Sequence, residues 1–307
     1  MFTAVMWSTV ATVPPEKTPG TDGGIVLNTA DSSLDQATLR DELGDASARS
    51  LLLTMLGEFA YPRREAVWTS TLLSAFTALG VEEKSARQST ARVAAEGLLS
   101  SERAGRRTRW SLTDAGGELL REGTERIYSF LADAHEWNSQ WLLMSVAVPE
   151  TQRKLRHQLR TQLTWLGMGS PAPGLWVVPD AGVADKVAAV LDGLGIRSSA
   201  FVWTGTWAEI GDLHAMIGAA WELDTVAEQY RKFLSVFQPE PLTGAEAFVA
   251  QVRLVQSWRR FPFLDPDLPQ SLLPEDWPGR AAAATFHECH DIWHAEAQRA
   301  WVEWVPE

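Results

Sequence analysis

The stretch LLSSERAGRRTRWSLT, residues 98–113, constrains this chain more than any other. Residues 98–102 and 107–112 read as two short strands around Arg103-Ala104-Gly105-Arg106, a turn carrying glycine. Alternation along the second strand puts Thr108, Trp110 and Leu112 on one face, with Arg107 and Arg109 on the other. The hairpin is therefore apolar on one side and cationic on the other.

Three helical patterns precede it. Ser47 is a candidate N-cap, and Leu52, Met55, Leu56 and Phe59 recur at the spacing of one helix face. After the break at YPRREA, Thr69 is a candidate cap for TSTLLSAFTALG, which Gly80 ends. The third helix opens on Glu82 and Glu83, acids well placed against a helix N-terminal dipole, and runs to Gly97.

The third helix has two unlike sides. At about 100° per residue, Ala86, Ser89, Thr90, Val93 and Gly97 gather on the side expected to pack on the other helices. Lys84, Arg87, Gln88, Ala91, Arg92 and Ala95 fall opposite. A helix laid in a DNA major groove needs such a face: short residues for approach, Arg and Gln for base edges and phosphates. Three helices followed by a basic hairpin predict a winged helix-turn-helix.

Net charge argues against nucleic acid at first sight, because it is −12. A binding surface needs local positive charge, however, since the Debye length is only about 8 Å at physiological salt. Seven basic residues lie between Lys84 and Arg109, against two acids, Glu96 and Glu102. An acidic protein carries one basic module.

Downstream the pattern alternates. WLLMSVAV (141–148) has strand length, TQRKLRHQLRTQLTWLG is helical with Leu155, Leu159, Leu163 and Leu166 on a stripe, and a short segment follows near 167–170. A strand at LWVV, a helix at ADKVAAVLDGLG and a strand at AFVWTG complete the order β-α-β-β-α-β, which predicts a ferredoxin-like split motif. Such domains resemble the small endonucleases of CRISPR adaptation, but WLLMSVAVPE offers only Glu150 and no Asp for a metal, so nuclease activity is not expected. Beyond Gly211 helices are expected at about 221–237, 244–260 and 281–304, the last two joined by the proline-rich FPFLDPDLPQSLLPEDWPG.

Two constellations in the last third carry other chemistry. His287, His290 and His294 have spacings that can share a helix face, so a divalent metal is the cofactor they would take. The HExxH pattern is absent, because position 291 is Asp. Trp258, Trp277 and Trp293 are candidate walls for an aromatic or adenine-bearing ligand. No GxSxG elbow, GxxxxGK[ST] loop or GxGxxG follows a strand, so the chain is not expected to be an enzyme. A metal-dependent hydrolase built on the three histidines is the alternative.

ARSLLLTMLGEF, VWTSTLLSAFTALGVEEKSARQSTARVAAEGLL and ERAGRRTRWSLTDAGGELLREGTERIY resemble the N-terminal domain of the PaaX regulators, repressors of phenylacetate catabolism genes. The resemblance continues through LRTQLTWLGMGSPAPGLWVVP into FPFLDPDLPQSLLPEDWPGRAA and covers roughly residues 45–285. It implies a dimeric bacterial repressor that leaves its double-stranded operator on binding an acyl-CoA such as phenylacetyl-CoA. Position by position, it gives Lys84, Ser85, Arg87, Gln88 and Arg92 the recognition role, and Arg103, Arg106, Arg107 and Arg109 the wing. TFHECHDIWHAEAQRAWVEW, richer in His and Trp than the family pattern, departs from it, as does the long N-terminal tail.

The expected fold is thus α+β in three parts behind a loose tail at 1–44. These are a winged-helix DNA-binding domain with a long linking helix (45–133), a ferredoxin-like dimerisation or scaffold domain (134–210) and a helical, effector-binding C-terminal domain (211–307). Cys289 is the sole cysteine, so no intrachain disulfide forms and a cytoplasmic location is expected. No apolar run reaches the length of a membrane span.

Overall fold

A computed structural model describes residues 47–132 and 137–306. The tail expected over 1–44 lies outside the described residues. The fold is α+β, with two antiparallel sheets among many helices. The chain divides into two compact units.

Of the described residues, the first unit comprises 47–127 together with 239–257 and 288–306. Helix α1 (Ala48–Met55) starts at Ser47, whose Oγ accepts from the Ser50 amide. It continues as a π-helical turn, Leu56–Ala60, which the periodicity did not announce. Strand β1 (Val67–Trp68) then leads into α2 (Thr69–Ala78). Thr69 does not cap that helix; its hydroxyl donates to the Thr108 carbonyl and accepts from the Trp110 indole. Helix α3 (Glu83–Ala95) ends one turn before the hairpin of β2 (Leu99–Ala104) and β3 (Arg107–Leu112).

The hairpin turn is tighter than expected. Gly105 and Arg106 alone form it, with Gly105 at φ +64°, while Arg103 and Ala104 remain in β2. Strand β1 adds to the free side of β3, giving the order β1-β3-β2. Helix α4 (Asp114–Ser129) follows at once, its first turn closed by the Gly116 amide donating to Thr113 Oγ1.

Burial explains why these pieces hold together. Leu52, Met55, Phe59, Leu72, Phe76, Ala86 and Val93 are all essentially buried. Fully burying a Leu, Met, Phe or Val side chain contributes about 1.5–3 kcal/mol relative to leaving it in water. Phe59 also stacks on Trp301, with ring centroids 5.2 Å apart, and lies 4.9 Å from Phe248.

The second unit comprises residues 128–238 and 258–287. Its sheet is built from β4 (Trp141–Val146), β5 (Gly169–Ala172), β6 (Leu175–Val178) and β7 (Ala200–Gly205), in the order β5-β6-β4-β7. Helix α5 (Arg153–Trp165) lies between β4 and β5 in sequence, and α6 (Ala184–Gly193) between β6 and β7. Leu142, Met144 and Val146 alternate onto one face and meet Leu159, Leu163, Val187 and Leu191. Helix α7 (Leu213–Ala220), missed in the sequence, precedes α8 (Leu223–Val236). Gly169 lets that region close: a Cβ there would lie 2.5 Å from the Trp221 ring.

Three further helices complete the chain, α9 (Gly244–Trp258), the short α10 (Phe261–Leu264) and α11 (Gly279–Glu303). None of the described helices is long and apolar enough to cross a membrane.

Candidate nucleic-acid interface

On α3 the two sides separate as their spacing requires. Ala86, Ser89, Thr90 and Val93 are buried, whereas Lys84, Ser85, Arg87, Gln88 and Arg92 are exposed. The buried hydroxyls stay satisfied, since Ser89 and Thr90 both donate to the Ala86 carbonyl. The outer face is left for hydrogen-bond donors.

The hairpin adds a second cationic edge. Arg103, Arg106 and Arg107 are exposed, and Arg109 is half-buried. Two arginines are restrained by acids that sequence reasoning did not pair with them. Arg87 is bonded to Glu83 one turn back, at 2.7 Å. Arg109 meets Glu102 at 2.8 Å directly across the β2–β3 register. Lys84, Arg92, Arg103 and Arg106 are in no ion pair among the described residues.

The C-terminal histidines are placed differently from the metal expectation. The His290 and His294 rings lie 5.1 Å apart, and His290 Nε2 is 3.1 Å from Glu58 Oε2 on the π-helical turn. Gln251, fully buried, donates to Glu58 Oε2 at 2.8 Å and reaches both imidazoles at 3.3 and 3.4 Å. The third residue beside His290 and His294 is thus Glu58, and a glutamine amide stands between the three. His287 instead meets the Phe286 ring edge-on. Among the described residues, no group of three or more His, Cys, Asp or Glu is arranged to hold a metal ion. Burial, with the neighbouring His290, pushes the His294 pKa down.

Of the three tryptophans, Trp258 is fully buried and stacks on Phe286 at 4.9 Å, a packing position. Trp293 is also buried and donates its indole N–H to the Glu240 carbonyl. Trp277 alone of the three lines a recess, with Leu131, Asp265, Gln270, Leu273 and Arg280. Its volume is about 20 Å³, room for about one water molecule.

The chain resembles known proteins along most of its length. A family model for PaaX-like proteins matches residues 47–116, one for the PaaX central Cas2-like domain matches 134–217, and one for the PaaX-like C-terminal domain matches 221–303. The transcriptional repressor PaaX of Escherichia coli (strain K12) is 30% identical over 251 residues, 77% of each chain. The solved structure of the uncharacterized protein Rv0674 from Mycobacterium tuberculosis aligns with a TM-score of 0.59 at 22% identity. That alignment covers 83% of this chain and 99% of the other, and it speaks to the fold alone.

Proposed function

Because the chain belongs to the PaaX family, whose Escherichia coli relative is a transcriptional repressor, we propose that it is a DNA-binding transcriptional repressor. The family is regulatory, not enzymatic. In this reading α1 to α3 and the β2–β3 hairpin act as a winged helix-turn-helix, with α3 entering the major groove. Lys84, Ser85, Arg87, Gln88 and Arg92 meet bases and phosphates, while Arg103, Arg106, Arg107 and Arg109 hold the backbone nearby. The four-stranded sheet with its two helices is read as a ferredoxin-like scaffold for a homodimer on a two-fold operator.

One observation carries the reading. The small residues of α3 are inside and its donors are outside, on a helix followed directly by an arginine-tipped hairpin. Duplexes selected from a random pool by the full chain provide the test, scored by mobility shift. Arg87→Ala with Arg92→Ala abolishes retention while the fold survives; undiminished binding would remove α3 from the interface.

The inducer is read as an acyl-CoA thioester such as phenylacetyl-CoA, received where Trp277 and Arg280 line the recess. The recess has to open to admit one. A thermal-shift screen of acyl-CoA thioesters tests this, because a ligand that prefers the native state raises Tm. No thioester raising Tm would count against the effector class. The metal-dependent hydrolase has no support, since Gln251 rather than a third ligand separates Glu58, His290 and His294.

A further inference from the structure

A second cationic surface lies on α5, in the second unit, and includes none of the residues assigned above. Between Thr151 and Pro179 the chain contains no Asp or Glu, yet Arg153, Lys154, Arg156 and Arg160 fall within two turns of helix. At about 100° per residue, Arg153, Arg156, His157 and Arg160 occupy one stripe, which runs alongside the buried Leu159 and Leu163. The three arginines are exposed and in no ion pair among the described residues.

Their placement is at odds with helix stability. Helix α5 opens on Arg153 and Lys154, has no acid in its first turn, and receives no side-chain cap from Gln152. Positive charge at a helix N-terminus is opposed by the dipole. Stability alone does not account for such a start.

Two of the arginines are held in position. The Arg160 guanidinium lies 5.9 Å from the Trp176 ring centroid, and Arg156 Nη2 donates to the Glu150 carbonyl. Each keeps further N–H groups for an outside acceptor, so less side-chain freedom is lost on binding. A rise of about 1.5 Å per residue spreads Arg153 to Arg160 over about 10 Å. Duplex DNA carries about six phosphate charges along that distance. A convex line of guanidinium groups suits a linear polyanion rather than a single enclosed phosphate.

We infer that the α5 stripe of Arg153, Arg156 and Arg160 is a second, sequence-independent DNA contact that grips duplex phosphates in addition to those met by α3. The inference rests on the DNA-binding reading and extends it to the second unit.

The test uses the full chain and fluorescence anisotropy on random-sequence duplexes of about 40 and about 12 base pairs, between about 50 and 200 mM salt. Replacing all three arginines by Ala should lower the slope of log K against log salt on the longer duplex by about 2–3, near 0.9 per lost phosphate contact. Binding to the short duplex should be unchanged, and Tm unchanged or raised. Lysine at the three positions should restore the slope, and Arg153→Glu alone, clear of the Trp176 contact, should weaken long-duplex binding. Wild-type slopes in a folded triple variant would overturn the inference while leaving α3 in place. A wild-type chain that binds neither duplex would overturn the function itself. Loss of free CoA binding in the triple variant, with long-duplex affinity intact, would also overturn the inference.

Discussion

Arg49 on α1 grips Glu96 at the end of α3 with two nitrogens, Nη2 at 2.8 Å and Nε at 3.2 Å. The Glu96 side chain is only 2% exposed, so the pair holds the outgoing end of the candidate recognition helix where water cannot easily replace it. Removing one partner leaves the other charge stranded. Arg49→Met should cost about 3 kcal/mol in urea unfolding. A double-mutant cycle with Glu96→Gln should return a coupling of about 1.5–3 kcal/mol. A coupling near zero would mean the pair is incidental.

Glu83 ties Arg87 back onto α3, with both side chains more than half exposed. Exposed pairs of this sort contribute under about 1 kcal/mol, so Glu83→Gln should hardly move Tm. It frees a guanidinium and removes a negative charge from the side proposed to face DNA. Duplex affinity at low salt should rise several-fold, read by titration; unchanged or weaker binding would show that Arg87 does not face the duplex.

Asp265 lies buried in the second unit, accepting from the Tyr230 hydroxyl at 2.7 Å and from the Asp267 amide at 2.8 Å. Burial outweighs these bonds and pushes its pKa up to about 6. The folded value exceeds the unfolded one, so the proton is held more tightly in the native state. This contribution is full below about pH 4 and is lost as pH rises through about 6, amounting to about 2–3 kcal/mol. Asp265→Asn should therefore flatten stability between pH 4 and 7 relative to wild type. Urea unfolding at each pH checks it, and two parallel curves would reject the buried-acid account.

Gly116, near the start of α4, has no room for a side chain: a Cβ would lie 2.1 Å from the Leu98 carbonyl oxygen. Backbone cannot yield as a flexible side chain does. Gly116→Ala should cost about 3 kcal/mol, an overpacking penalty. Gly117 is next to it with nothing within 4 Å, so Gly117→Ala is the control and should be neutral or slightly stabilising. Equal effects at the two sites would refute the packing argument.

Much of the first unit was legible because helix periodicity depends on burial. Ala86, Ser89, Thr90 and Val93 are inside as their spacing requires, and the Arg and Gln side is outside. Strand β1 was not legible, since two residues carry no period. The Arg109–Glu102 pair follows only from a two-residue turn at Gly105-Arg106, and the longer turn expected from sequence hid that register. Glu58 escaped notice for another reason. Its partners Gln251 and His290 are 193 and 232 residues away, a distance over which sequence pattern has no memory. Helical spacing brought His287 into that cluster in place of Glu58; spacing says which residues share a rod, not what stands opposite.

The π-helical turn at Leu56–Ala60 amounts to an α-helix that has absorbed one extra residue. The chain has slack at that point and nowhere else along its first helix. Losing one residue there relaxes the coil to its ordinary pitch at the expense of Glu58's aim, whereas losing one from Ala48–Met55 swings Leu51, Leu52 and Leu53 about a quarter-turn out of the core. A one-residue deletion should therefore be tolerated better within the five residues that present the buried carboxylate than along Ala48–Met55.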